Sequence, residues 1–132
     1  MIELKEKITK IVRENRAFSL VEILIVLAII GILLTIAIPN LFKAEEATRK
    51  RATEMEIRGI ISAIYSYRLA TYQLPKSIKQ LVDEGYLKSS ALTDEWGTEY
   101  NFQVKGNKIM ITSAGPDKKF NTKDDITIEE SF

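Results

Sequence analysis

Between Phe18 and Ile38 the chain reads FSLVEILIVLAIIGILLTIAI, an apolar run broken only by Ser19, Glu22, Gly31 and Thr35. As a helix rising ~1.5 Å per residue it would extend about 30 Å, the thickness of a bilayer's hydrocarbon core. The run therefore predicts a membrane-spanning helix. An ionisable side chain inside such a helix costs roughly 2.5 kcal/mol or more on insertion scales, so Glu22 needs an account. It is either a functional carboxylate with a partner or a side chain that snorkels to the nearby interface.

The flanks set orientation and processing. Residues 1–17 hold five basic side chains, Lys5, Lys7, Lys10, Arg13 and Arg16, against three acidic ones. Positive charge stays on the cytoplasmic side, which leaves the remainder outside. A secretory signal would end in small residues after the apolar run, but here the run continues into Pro39, Asn40 and Leu41, so the hydrophobic part is expected to be retained.

With leader and span set aside, about 90 residues remain, enough for one small domain. The net charge is +1, and after the span only Lys43 and Arg49-Lys50-Arg51 form anything basic. That is little support for nucleic-acid binding, and none is expected. The chain has no Cys and no His, so it lacks disulfides and also the commonest metal ligand and catalytic base.

Pro39 removes one helical N–H, the partner of the Thr35 carbonyl, and predicts a kink or local loosening. The helix is expected to continue, because Leu41 to Leu69 contains no further Pro and is amphipathic. Leu41, Ala44, Thr48, Ala52, Met55, Gly59, Ala63 and Tyr67 recur at helical steps, with Ile60 and Ile64 widening the stripe. On the opposite surface Glu45–Arg49, Glu46–Lys50 and Glu54–Arg58 stand four apart with the acid first, worth about 0.2–0.5 kcal/mol each. These charges are a solvated face or contacts between subunits. One helix of about 50 residues, roughly 75 Å, would then run from the bilayer into the domain.

Further on, Ser77 and Gln80 fit a capping box and Gly85 a helix stop, so a short helix carrying Ile78, Leu81 and Val82 is predicted within a connecting loop at 71–98. Tyr86, Leu87, Leu92 and Trp96 supply apolar mass, with Trp96 read as a core or loop anchor over a ligand platform. After Gly97 the period changes to two. Tyr100, Phe102 and Val104 alternate with polar residues, Gly106-Asn107 turns the chain, and Lys108 to Thr112 alternates again, which predicts a hairpin. Ile126 to Ile128 can add a third strand. The fold class expected is α+β, a long helix whose first half spans the membrane and whose second half packs against a small antiparallel sheet.

Between the second and third strands, Asp117, Asp124 and Asp125 stand at the two ends of one loop. Carboxylates and backbone carbonyls are hard oxygen donors, and Ca²⁺ takes about 6 to 8 of them, whereas Mg²⁺ wants a tighter octahedron. The loop is not an EF-hand, because twelve residues from Asp117 end at Ile128 where a Glu is needed. The other reading is a solvated acidic loop with Lys118, Lys119 and Lys123 as counterions. An enzyme is not expected, since three acids on one loop serve a cation better than they serve acid–base chemistry.

Arg16-Ala17-Phe18-Ser19-Leu20-Val21-Glu22, the apolar helix and Ile38-Pro39-Asn40-Leu41 resemble the class III signal of type IV pilins and of the pseudopilins of type II secretion. The resemblance implies cleavage by a prepilin peptidase between Ala17 and Phe18, with Ala17 keeping a small side chain where the family usually has Gly. It also implies N-methylation of Phe18, pairing of Glu22 with a neighbour's terminal amine, and an assembly role for the helix at Pro39. Trp96-Gly97-x-x-Tyr100, then Ser113-x-Gly115-Pro116-Asp117 and Asp124-Asp125-Ile126, are similar to the carboxyl-terminal half of the major pseudopilins, whose last loop holds calcium. By that match Asp117, Asp124 and Asp125 are side-chain ligands, and Ala114 and Lys119 offer main-chain oxygen.

The function implied is a structural subunit that polymerises with its own kind into a periplasmic helical pseudopilus. Its partners would be the inner-membrane assembly platform and minor pseudopilins. The alternatives are a type IV pilin, a competence pseudopilus subunit, or a membrane-anchored calcium-dependent binding module. The organisation expected is leader 1–17, assembly helix 18–38 and periplasmic domain 39–132.

Overall fold

The computed structural model describes residues 1–15 and 18–132, so the Ala17 side of the expected cleavage site lies outside the described residues. The chain divides into two compact units, Met1–Phe42 and Lys43–Phe132. The first unit contains helix α1 (Ile2–Asn15) and the beginning of helix α2 (Leu20–Thr71). Every residue from Phe18 to Phe42 is exposed, including all the large apolar side chains, as a segment solvated by lipid would be. Pro39 lies inside α2, which runs on past it as the sequence predicts.

The second unit has one core. Ile57, Ile60, Ile61, Ile64 and Tyr67 of α2 meet Ile78 and Leu81, Tyr100, and Ile109 and Ile111 in one buried cluster. Ile57, Ile60 and Ile64 are fully buried, and each such side chain stabilises by about 1.5–3 kcal/mol. The expected stripe is buried at its far end, at Ile60, Ala63, Ile64 and Tyr67, and differs before it. Met55 and Gly59 are exposed, as are Leu41, Ala44 and Thr48, while Thr53, Ile57 and Ile61 are buried. Four isoleucines within Ile57–Ile64 bring more apolar, β-branched surface than the alanines and the glycine of the alternative stripe, and they set the rotation of the helix.

Helix α3 (Ile78–Asp83) starts at Ser77, whose hydroxyl accepts the Gln80 N–H at 3.1 Å. The Gln80 side chain reaches back to the N–H of Lys76 at 2.8 Å, one residue before the cap of an ordinary capping box. Gly85 follows at φ 84° as the expected left-handed stop. A 3₁₀ turn over Ser89–Leu92, not anticipated in the sequence, completes the connection.

The sheet is antiparallel, in the order β1 (Asn101–Lys105), β2 (Lys108–Ser113), β3 (Ile126–Ser131). Gly106 has φ 61° and Asn107 does not share a positive φ, the pattern of a two-residue II′ hairpin turn. The third strand runs three residues beyond Ile128, and Tyr100 precedes β1 as a buried side chain. Because β2 is central, its Ile109 and Ile111 are the sheet's fully covered apolar positions.

Candidate functional site

At the start of α2, Ser19 caps the helix. Its Oγ accepts the Glu22 N–H at 3.3 Å and its carbonyl accepts the Ile23 N–H at 3.3 Å. The Ser-x-x-Glu spacing of Ser19 and Glu22 is the sequence signal of such a cap. The cap fixes Glu22 in the first turn, at the positive end of the helix dipole. Among the described residues the Glu22 carboxylate makes no hydrogen bond or ion pair, and Phe18 is 74% exposed.

At the other end of the sequence, the loop from Ala114 to Asp125 leaves β2 and returns to β3. Its root is a buried carboxylate. Asp94 Oδ1 accepts the N–H groups of Trp96 at 3.0 Å and Thr98 at 2.9 Å, while Oδ2 accepts the Ser113 hydroxyl at 2.6 Å. Ser113 Oγ in turn accepts the Gly115 N–H at 3.2 Å. Both residues are buried, and this junction was missed in the sequence because it joins positions that are distant along the chain.

The chain then passes itself closely. Gly115 has φ 75°, and a Cβ there would collide with the Asp124 carbonyl oxygen, so only glycine lets the two strands of the loop cross. Ala114 is fully buried beside it. In the outer loop the Thr122 hydroxyl faces three acceptor groups, the Lys119 carbonyl at 3.2 Å, Asp125 Oδ1 at 3.4 Å and the Asp117 carboxylate. Asp117 Oδ1 also accepts the Lys119 N–H at 3.0 Å, and Asp125 Oδ2 the Asn121 N–H at 2.8 Å. The Thr122 hydroxyl first, and then the Lys119 N–H, hold the Asp117 carboxyl below its ordinary pKa.

Asp117, Asp125 and the Lys119 carbonyl are thus brought to one point. Asp124 contributes its backbone at the crossing and no side-chain hydrogen bond, and among the described residues no three acidic side chains gather closely enough to hold a metal ion. The donor set is hard oxygen throughout, which suits Ca²⁺ chemically.

A third link ties helix to sheet. Tyr100 Oη donates to Glu56 Oε2 at 2.7 Å. Burial, and then the Glu56 carboxylate, push the Tyr100 phenol well above its ordinary range. Burial, offset by the Tyr100 hydrogen bond and reinforced by Glu95, raises the Glu56 carboxyl.

A long helix that begins as an apolar segment with a capped first-turn Glu and ends in the core of a small antiparallel sheet defines a type IV pilin-like subunit. Comparison with known proteins makes that class specific. Residues 40–130 match the family described as type II secretion system (T2SS), protein G, and residues 12–38 match the prokaryotic N-terminal methylation motif. The chain is 31% identical to the type II secretion system core protein G of Escherichia coli (strain K12), over 86% of this chain and 90% of that protein. A competence protein ComGC of Halalkalibacterium halodurans is 34% identical, but over only 54% of this chain. Among solved structures, the major pseudopilin from the type 2 secretion system of enterohaemorrhagic Escherichia coli aligns with a TM-score of 0.57 and 26% identity, covering 67% of this chain and 93% of that one. The chain belongs to the type II secretion system protein G family. It is a structural pseudopilin, and neither the pilin nor the competence alternative is favoured.

Proposed function

We propose that the chain is cut before Phe18 and anchored by α2 with its Lys43–Phe132 unit in the periplasm, and that it polymerises through α2 into the pseudopilus. The observation that carries this reading is the Glu22 carboxylate, held by the Ser19 cap within an apolar helical segment and without a partner among the described residues. An unpaired carboxylate in hydrocarbon is costly, and pairing with a neighbour's terminal amine offsets that cost. The same pairing sets the axial register of one subunit on the next. Methylation of the Phe18 amine keeps its positive charge for this contact. The prepilin peptidase, the inner-membrane assembly platform and minor pseudopilins are the partners this route requires.

The last loop takes Ca²⁺ in this reading, through Asp117, Asp124 and Asp125 with main-chain oxygen from Ala114 and Lys119. Support comes from the three acceptor groups already around Thr122 Oγ1 and from the glycine-only crossing that brings Asp124 alongside. The ion would tie the two ends of the loop together in a chain that has no disulfide to do so.

Glu22→Ala tests the assembly role. The variant is expected to reach the membrane at normal level and to form no filaments. Normal filament yield from it overturns the role given to Glu22.

A further inference from the structure

Helix α1 has no part in the function proposed above, and most of it precedes residue 12, where the first family match begins. Leu4, Ile8 and Ile11 recur along it at helical steps, so at ~100° per residue they share an arc of about 60°. Each is more than half exposed. Lys5 and Lys7 stand on the two borders of that stripe, while Glu6, Thr9 and Lys10 lie on the surface behind it. Glu3–Lys7 and Glu6–Lys10 have the same acid-first spacing as the pairs on α2, yet among the described residues no ion pair engages Lys5, Lys7 or Lys10. The helix therefore presents a narrow apolar stripe between two free ammonium groups.

We infer that α1 lies flat on an anionic bilayer surface, with Leu4, Ile8 and Ile11 sunk among the headgroups and Lys5 and Lys7 against lipid phosphates. The inference rests on the anchoring of α2 proposed above. Charge complementarity selects lipid as the occupant. The lysine stems can follow the stripe inward while their ammonium groups reach back to phosphate oxygens. A second copy of the helix would bring lysines together along both borders of the seam, which opposes pairing. Proximity is supplied by the chain itself. Only residues 16–19 separate α1 from α2, and such a connection spans at most about 14 Å, so α1 stays at the leaflet that α2 enters. A surface contact too weak to hold a free helix is populated under that tether. The bond to be cut, Ala17–Phe18, falls in the same connection, and a leader held this way keeps it at the membrane surface for the peptidase.

The test places the uncleaved full chain in vesicles with one introduced thiol as reporter, since the chain has no cysteine of its own. Ile8→Cys marks the apolar stripe and Thr9→Cys the surface behind it, both at exposed positions. A membrane-impermeant maleimide then reads the chains whose leader faces outward. In vesicles of phosphatidylcholine with phosphatidylglycerol, Ile8→Cys is expected to label about tenfold more slowly than Thr9→Cys, because the stripe is sunk in the interface. In phosphatidylcholine alone the gap is expected to fall below about threefold, because the lysines lose their counter-charge. Equal rates at the two positions in the anionic vesicles overturn the inference, and so does a gap of the same size in both lipids. A gap that closes as the protein is diluted in lipid assigns the stripe to a second copy and overturns it as well. An alkaline carbonate wash separates the two readings. A chain that washes off the vesicles removes the α2 anchoring beneath the inference, whereas a retained chain with equal rates removes the role of α1 alone.

Discussion

Asp94 and Ser113, nineteen positions apart, share a 2.6 Å hydrogen bond between buried side chains. That bond joins the Trp96–Thr98 turn to the last residue of β2, the point from which the acidic loop departs. Asp94→Ala would leave two backbone N–H groups and the Ser113 hydroxyl without their acceptor. A loss of about 3 kcal/mol is expected, read as a fall in melting temperature of the chain in detergent micelles. A fall no larger than that of an exposed substitution such as Glu84→Ala would show the junction to be dispensable.

Gly115→Ala places a methyl group against the Asp124 carbonyl at a positive φ. The loop must open, at a cost of about 2 kcal/mol or more. Gly106→Ala has a positive φ and no such collision, so thermal unfolding of the two variants should show Gly115→Ala as the more damaging.

Calcium in hundredfold excess over its dissociation constant should stabilise the native chain by about 2.7 kcal/mol. Thermal unfolding in Ca²⁺ and then in chelator measures it, and Asp124→Ala or Asp117→Ala should abolish the difference. An identical melting temperature in both conditions would mean that the loop is held by its own hydrogen bonds. The depressed Asp117 pKa sets the acid limit. Its contribution to stability is present above the ordinary carboxylate range, and it is lost as pH falls through the lower folded value.

Glu56 has the opposite sign. Its carboxyl is raised in the folded state, so the folded chain holds the proton more firmly than the unfolded chain. Its contribution is therefore present below the ordinary carboxylate pKa and fades as pH rises through the folded value. Glu56→Gln keeps an oxygen for the Tyr100 hydroxyl and removes the charge. Relative to the parent it should melt higher at pH 7 than at pH 4, and a pH-independent difference would contradict the shift.

Thr53 is fully buried, and its hydroxyl finds no hydrogen-bond partner among the described residues. Thr53→Val preserves shape and removes the orphaned group, so a gain of about 1 kcal/mol is expected in denaturant titration. A loss would mean that the hydroxyl is satisfied by solvent.

Much of the fold was legible because it depends on local pattern. The apolar run, the uninterrupted helix past Pro39, the Ser77 cap, the Gly85 stop and the Gly106-Asn107 turn are each written within a few consecutive residues, where backbone sterics and hydrogen bonding act directly. The class of subunit was legible for the same reason, since the motif from Ala17 to Leu41 is contiguous. The rotation of α2 was not. Ile60 and Ile64 are buried as expected, but the choice of Thr53, Ile57 and Ile61 over Met55 and Gly59 is made where the sheet and α3 pack on the helix.

The acidic loop divides along the same line. Sequence alone marked Asp117, Asp124 and Asp125 as oxygen donors near one another, because they flank a single loop. Only the tertiary structure joined Asp94 to Ser113, Tyr100 to Glu56 and Gly115 to the backbone of Asp124. Such contacts are decided when distant segments are forced to share one interior, where every buried polar group must find a partner and every close crossing must find room.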